Sequence, residues 1–302
     1  MATRLSISDV LLLTIAPLLW AGNAIVGHLV QALVPPIMFN LMRWAIAFLL
    51  LLPLAGSVFY PNSPLWKSWR RFAILGLLGV GVYNALQYLA LHTSTPINVT
   101  LVTSSMPVWM LLIGCLFFNT AVSLRQVVGA IISIAGVLIV LCRGDWQQLL
   151  ALRLVTGDLL MIAATICWSL YSWLLAGCTE PASIRQDWAK FLIAQVGFGL
   201  VWSGLSAAVE WNLSDARITW GWPLVSALMY VAIGPAIIAY HCWGAGLRRV
   251  GPNIAAFFNN LTPLFAAILS SAFLNEMPRP FHLAAFVLIV VGIVLSSKKA
   301  ST

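Results

Sequence analysis

Apolar residues in this chain run on continuously. Ten such stretches stand out, at 10–30, 37–55, 72–91, 97–118, 125–142, 157–177, 189–209, 222–244, 253–274 and 281–297. Each is close to the roughly 20 residues that an α-helix needs to cross the hydrocarbon core of a bilayer. Barrel strands would instead alternate over about 10 residues, whereas a helix satisfies its own backbone in lipid. The pattern predicts an all-α integral membrane protein with ten transmembrane helices. The links at 31–36, 92–96, 119–124 and 275–280 are short, so successive helices are expected to be antiparallel neighbours, with no room for a soluble domain.

Composition agrees: 61% of the 302 residues are hydrophobic and 8% are charged, against about 25% charged in an ordinary soluble domain. The net charge of +8 is scattered in ones and twos between apolar runs, which excludes a nucleic-acid-binding face. The five cysteines show no CxxC spacing, so neither a disulfide framework nor a metal site is expected, and no cofactor motif is present. Arg4 ahead of the first run resembles a signal peptide, but that run lacks a small-residue cleavage site and is read as the first span.

Positive charge near the span ends sets the orientation. With the N-terminus inside, the inner loops hold Arg4, Lys67, Arg70, Arg71, Arg125, Arg185, Lys190, Arg248, Arg249, Lys298 and Lys299. The outer loops hold Arg143, Arg153, Arg217 and Arg279. Both termini are therefore expected to be cytoplasmic, in a cell inner (plasma) membrane. Trp66, Trp69, Trp146, Trp188, Trp211, Trp220 and Trp222 lie near span ends, where an amphipathic indole suits the headgroup region.

Sliding the chain on itself by 156 residues aligns Pro96 with Pro252, Pro107 with Pro263, Phe117 with Phe273, Asn119 with Asn275 and Gly136 with Gly292. Near the front of each half the offset is 148, which sets Trp20 against Trp168. Two five-helix repeats, 1–147 and 148–302, explain this. Five is odd, so the second half enters from the opposite side, giving an inverted repeat of the kind found in transporters. Proline has no N–H and clashes with the carbonyl four residues earlier, so Pro107 and Pro263 predict kinks that free the carbonyls of Thr103 and Asn259. With Ser104 and Asn260, these form a polar patch in each half that either lines a cavity or makes helix-packing hydrogen bonds.

The stretch Leu261 to Leu295, LTPLFAAILSSAFLNEMPRPFHLAAFVLIVVGIVL, with LLWAGNAIVGHLV and FNLMRWAIAFLLLLPL in the first half, resembles the EamA-type branch of the drug/metabolite transporter superfamily. The resemblance covers Val10 to Ser297 and matches the family at Trp20, Arg43, Pro263 and Glu276. The first copy of the acidic turn departs from it, reading Asn119-Thr120 without a glutamate. The resemblance implies export of amino acids, other small metabolites or amphipathic drugs, without a soluble partner.

Arg43 lies inside the second span, and no carboxylate occupies the middle of any span; Asp9, Asp158, Asp187, Glu210 and Glu276 fall at span ends. Such a guanidinium either grips a carboxylate on the cargo or ties helix ends together structurally. His241 is the candidate for proton coupling; its other reading is a packing residue, with coupling then supplied by a counter-substrate. Asn84 and Gln87 add neutral polar groups. The aromatics Trp20, Tyr83, Tyr88, Trp168, Tyr171, Tyr240 and Trp243 lie within spans, positioned for packing or for stacking on cargo.

The candidate substrate-binding set is thus Trp20, Arg43, Tyr83, Asn84, Gln87, Thr103, Trp168, Tyr171, Tyr240, His241, Asn259 and Asn260, with Pro107 and Pro263 for gating. A small molecule and the lipid bilayer are the expected partners, and no oligomeric state is read. No paired carboxylates, His-rich set or nucleophile–base spacing appears, which argues against an enzyme. The leading expectation is export of small amino-acid-like metabolites by alternating access. The alternative is efflux of amphipathic drugs or organic cations.

Overall fold

The computed structural model describes residues 5–94, 99, 102–142, 145, 147, 150, 155–177, 179–213, 217–274 and 280–297, and among them every regular element is helical. The helices are α1 (Ile7–Val30), α2 (Pro36–Ala55), α3 (69–93), α4 (Met106–Phe118), α5 (Leu124–Leu141), α6 (Thr156–Ala176), α7 (Trp188–Leu213), α8 (222–250), α9 (252–274) and α10 (Pro280–Ser297). Seven described segments are long and apolar enough to cross a membrane: Ile7–Gly27, Pro36–Phe59, Pro64–Ala90, Thr156–Ala176, Trp188–Leu213, Trp222–Val250 and Pro252–Leu269. Three shorter apolar helices, Met106–Phe118, Leu124–Ile139 and Leu283–Ser297, complete the bundle.

Four of the described acids mark helix starts, where unpaired N–H groups and the helix dipole favour a carboxylate. Glu210, near the end of α7, accepts from the backbone N–H of Ile37 (3.0 Å) and of Met38 (2.8 Å) at the start of α2. Asp158 accepts from the Val155 N–H at 2.9 Å, Asp187 from the Ala189 and Lys190 N–H groups at 3.1 Å, and Asp9 from the Ser6 N–H at 3.1 Å. At its other end α4 stops at Asn119, whose φ of 50° is left-handed, a conformation asparagine tolerates better than most residues.

Packing joins α5 to α10, α2 to α7, α3 to α6, α1 to α8, α1 to α9, and α4 to α6. Small residues let backbones meet, as is usual between helices in lipid. A Cβ on Gly129 would lie 2.8 Å from the Gly292 carbonyl oxygen, and one on Gly292 would lie 2.7 Å from that of Gly129.

Two departures from plain helices shape the centre. Leu77–Val82 in α3 and Ala232–Ile238 in α8 are π-helical, each with α-helix on both sides. A π turn spans five residues per hydrogen bond, and the second such stretch contains Pro235, which has no N–H to give.

The second departure corrects the position of the proline kinks. Pro107 is in the first turn of α4, after a turn at Ser105 whose N–H bonds the Val102 carbonyl at 3.0 Å. In α9 the break is at Asn259 and Asn260, whose N–H groups bond the carbonyls of Ala256 and Phe257, each at 3.2 Å. Pro263 follows in the first turn of the resumed helix. Each helix begins or resumes just before its proline because a first-turn proline loses no helical bond.

Candidate functional site

Helices α1, α2, α3, α6 and α8 gather seven rings at the centre of the bundle. Trp168 is the hub, with ring centroids at 5.2 Å from Trp20, 4.8 Å from Tyr83, 5.0 Å from Tyr171, 5.5 Å from Tyr240 and 6.0 Å from Trp243. Trp44 packs edge-on against Tyr240 at 4.9 Å. The spacing explains the convergence: Trp168 and Tyr171, like Tyr240 and Trp243, stand three residues apart and so share a helix face.

The π stretches feed this cluster with carbonyl groups. The Tyr240 hydroxyl donates to the Gly79 carbonyl. Asn84 Nδ2 donates to that same carbonyl at 3.2 Å and to the Tyr240 hydroxyl at 3.4 Å. Asn40 Nδ2 donates to the Val80 carbonyl at 3.2 Å, and Trp20 Nε1 to the Pro235 carbonyl at 3.2 Å. Gly79 is required by close approach, since a Cβ there would come within 2.7 Å of the Tyr171 ring.

Arg43 is 1% exposed. Its Nη1 donates to Asn23 Oδ1 at 3.2 Å and to the Tyr88 hydroxyl at 3.1 Å, and its guanidinium carbon lies 5.0 Å from the centroid of Trp44. Among the described residues no carboxylate forms an ion pair with it. The described acids are engaged elsewhere: those above cap helices, Asp145 accepts from the Gln147 N–H at 2.9 Å, and Glu180 pairs with Arg71 at 2.5 Å. Three buried donors have no acceptor, namely Arg43 Nε, Trp44 Nε1 and Trp168 Nε1, the two indoles both packing on Tyr240. Buried donors are costly to leave unpaired, and a buried cation without a counter-charge more so.

A narrow crevice of about 20 Å³ reaches one side of the cluster, lined by Tyr171, Gln195, Tyr240, His241 and Arg248 among others. The Tyr171 hydroxyl donates to Gln195 Oε1 at 3.0 Å, and the His241 ring lies 4.7 Å from Trp188 on the crevice wall. Beyond Arg43, Tyr88 belongs to a second buried apolar cluster with Val30, Val34, Phe39, Leu224, Leu228 and Val231.

The structure therefore brings together Trp20, Tyr83, Asn84, Trp168, Tyr171 and Tyr240, with Arg43 joined through Trp44 and His241 on the crevice wall. Gln87 is half-buried and makes no side-chain hydrogen bond to a described residue. Thr103 bonds the Val99 carbonyl at 2.7 Å, Asn259 the Met106 sulfur at 2.6 Å, and Asn260 the Ser133 hydroxyl at 2.8 Å. The Thr103 bond runs back along its own segment, those of Asn259 and Asn260 join different helices, and Asn260 Oδ1 is left unpaired. Glu276 lies outside the described residues. Sequence reasoning missed Asn23 and Trp44. For Asn23 a signal existed: it stands three residues after Trp20 within an apolar run and so shares its face.

The EamA-like transporter family matches residues 7–142 and 155–298. An uncharacterized transporter of Archaeoglobus fulgidus is 28% identical over 96% of this chain and 97% of its own. The uncharacterized transporter YyaM of Bacillus subtilis is 24% identical over 78% of this chain and 75% of its own. The uncharacterized inner membrane transporter YedA of Escherichia coli K12 is 23% identical over 92% of this chain and 87% of its own. A solved crystal structure, 21% identical, superposes with a TM-score of 0.73 over 95% of this chain and 96% of its own, which shows a shared fold. The match along nearly the whole chain is a match to multi-pass membrane transporters: this protein belongs to the EamA-like transporter family.

Proposed function

We propose that this transporter exports small amino-acid-like metabolites across the inner membrane, by alternating access between two inverted five-helix halves, 1–147 and 148–302. The observation that carries the substrate class is the unpaired, buried Arg43 beside the orphan indole donors of Trp44 and Trp168. A carboxylate supplies the charge and the acceptors these groups lack, while the surrounding rings take up an apolar side chain.

Support for two halves comes from the packing. The first helix of each half contacts the third and fourth of the other, and second meets second as fifth meets fifth. The π stretches fall in the third helix of each half. In this reading both termini are cytoplasmic, the crevice beside Arg248 is the inner entrance, and the apolar cluster around Phe39 and Leu228 is the closed outer gate. All ten helices then span the bilayer. Pro107 and Pro263 flank breaks where the fourth helix of each half bends, and His241, in the entrance wall, is the place for proton coupling if exchange with a counter-substrate does not drive the cycle.

Counterflow into liposomes preloaded with unlabelled amino acids tests this. Uptake of a labelled amino acid by the wild type, lost in Arg43→Ala, is the expected result; no uptake across the amino-acid panel would overturn it. The aromatic cluster favours a second reading, efflux of organic cations attracted to ring faces. That reading wins if cation flux survives Arg43→Ala and is lost on replacing Trp20 or Trp168.

A further inference from the structure

Away from the central cluster, a surface cleft of about 420 Å³ is lined by Trp66, Lys67, Ser68, Trp69, Arg70, Arg71 and Thr179. We propose that this cleft is a binding site for the headgroup of an anionic glycerophospholipid, held at its phosphate by Lys67 and Arg70.

The charges in the cleft are not balanced from within. Arg71 is engaged by Glu180 at 2.5 Å and by the Leu174 carbonyl. Lys67 and Arg70 have no carboxylate partner among the described residues, so the cleft presents two uncompensated cations. Their placement is fixed by local structure. Pro64–Ser68 forms a 3₁₀ turn whose start is capped by the Ser63 hydroxyl accepting from the Leu65 N–H at 3.2 Å. The helix from Trp69 follows at once, and Arg70 lies with its guanidinium carbon 5.7 Å from the Trp69 centroid.

A lipid fits better than a soluble anion because of what borders the cations. Trp66 and Trp69 are 44% and 48% exposed, and exposed indoles at the end of an apolar helix belong at the headgroup level. Trp66 is held there by an Nε1 bond to the Tyr60 carbonyl at 3.0 Å and by edge contact with Phe198. The adjoining helices α3 and α7, which pack together, expose Ile74, Val201 and Leu205, apolar side chains of the kind acyl chains cover. Phosphate contact with paired cations is worth roughly a fivefold preference per cation near a membrane surface.

The test is native mass spectrometry of the full chain released from nanodiscs containing equal phosphatidylglycerol and phosphatidylcholine, with unfolding temperature measured alongside. Wild type should retain phosphatidylglycerol preferentially. Lys67→Gln/Arg70→Gln should lose that preference at an unchanged unfolding temperature, and Lys190→Gln, which removes a cation paired with Asp187, should keep it. Equal retention of the two lipids by wild type, an unchanged preference in the double variant, or an equal loss in Lys190→Gln would each overturn the proposal. So would displacement of the lipid by soluble glycerol phosphate, which would make the cleft a site for a free anion. Should the double variant unfold early, Lys67→Arg/Arg70→Lys, which keeps both charges, must retain the preference, and its loss there too would overturn the proposal.

Discussion

Asn84 donates a hydrogen bond to the Tyr240 hydroxyl at 3.4 Å although the two residues stand 156 positions apart. That separation is the offset that aligns Pro107 with Pro263, so the two residues hold equivalent places in the proposed halves and touch across the interface between them. Both also donate to the Gly79 carbonyl in the π stretch of α3. The contact is therefore a junction of α3 with α8 at the widened turn.

Tyr240→Phe leaves that carbonyl with Asn84 alone. A hydrogen bond between membrane helices is worth on average about 0.6 kcal/mol, so the expected loss of stability is small and the loss of transport rate larger. A double-mutant cycle with Asn84→Ala, read in unfolding and in counterflow, should show non-additivity in both. Strict additivity would mean that the two residues act separately.

Arg43→Lys keeps the charge but gives up the planar fork that grips a carboxylate with two bonds. Amino-acid counterflow should fall at least tenfold, with the fold retained. Wild-type flux in Arg43→Lys would leave Arg43 only its bonds to Asn23 and Tyr88.

Gly129→Val places atoms where the Gly292 carbonyl stands 2.8 Å from an added Cβ. Overpacking of this kind costs about 1–3 kcal/mol. Thermal unfolding in detergent should come earlier, with Gly204→Ala, where an added Cβ meets nothing within 4 Å, as the neutral comparison.

Glu210→Ala removes the acceptor for two N–H groups at the start of α2. Charge at a helix N-terminus is worth about 0.3–1 kcal/mol, more when partly buried. Amide exchange at Ile37 and Met38 should accelerate in the variant while exchange in α6 stays as in wild type.

Much of this was legible in the sequence because lipid leaves the chain few choices. Continuous apolar runs force helices, and four of the acids near run ends, Asp9, Asp158, Asp187 and Glu210, are caps. The convergence of Trp20, Trp168, Tyr171 and Tyr240 was partly readable from their place inside spans. The π stretches were not, since LLGVGV and AIGPAII are as apolar as their neighbours and the extra residue per turn is stabilised by distant side chains such as Asn40 and Tyr240. Trp44 was hidden for a related reason: one residue after Arg43, it points elsewhere on its helix and meets Tyr240 only through the tertiary fold. Asn259 and Asn260 are polar residues in apolar runs like Asn84, yet they hold helices together through Met106 and Ser133, and composition alone does not separate the two uses.

The widened turn at Leu77–Val82 has a mechanical consequence. A π turn holds one residue more than the α-helix around it needs, and resetting it to α would rotate everything that follows by about 100° and shift it by about 1.5 Å along the axis. Tyr83, Asn84 and Tyr88 all follow it. One register step would thus unscrew Tyr83 from Trp168, Asn84 from Tyr240 and Tyr88 from Arg43 together, so α3 is threaded like a bolt, with three contacts released by less than a third of a turn.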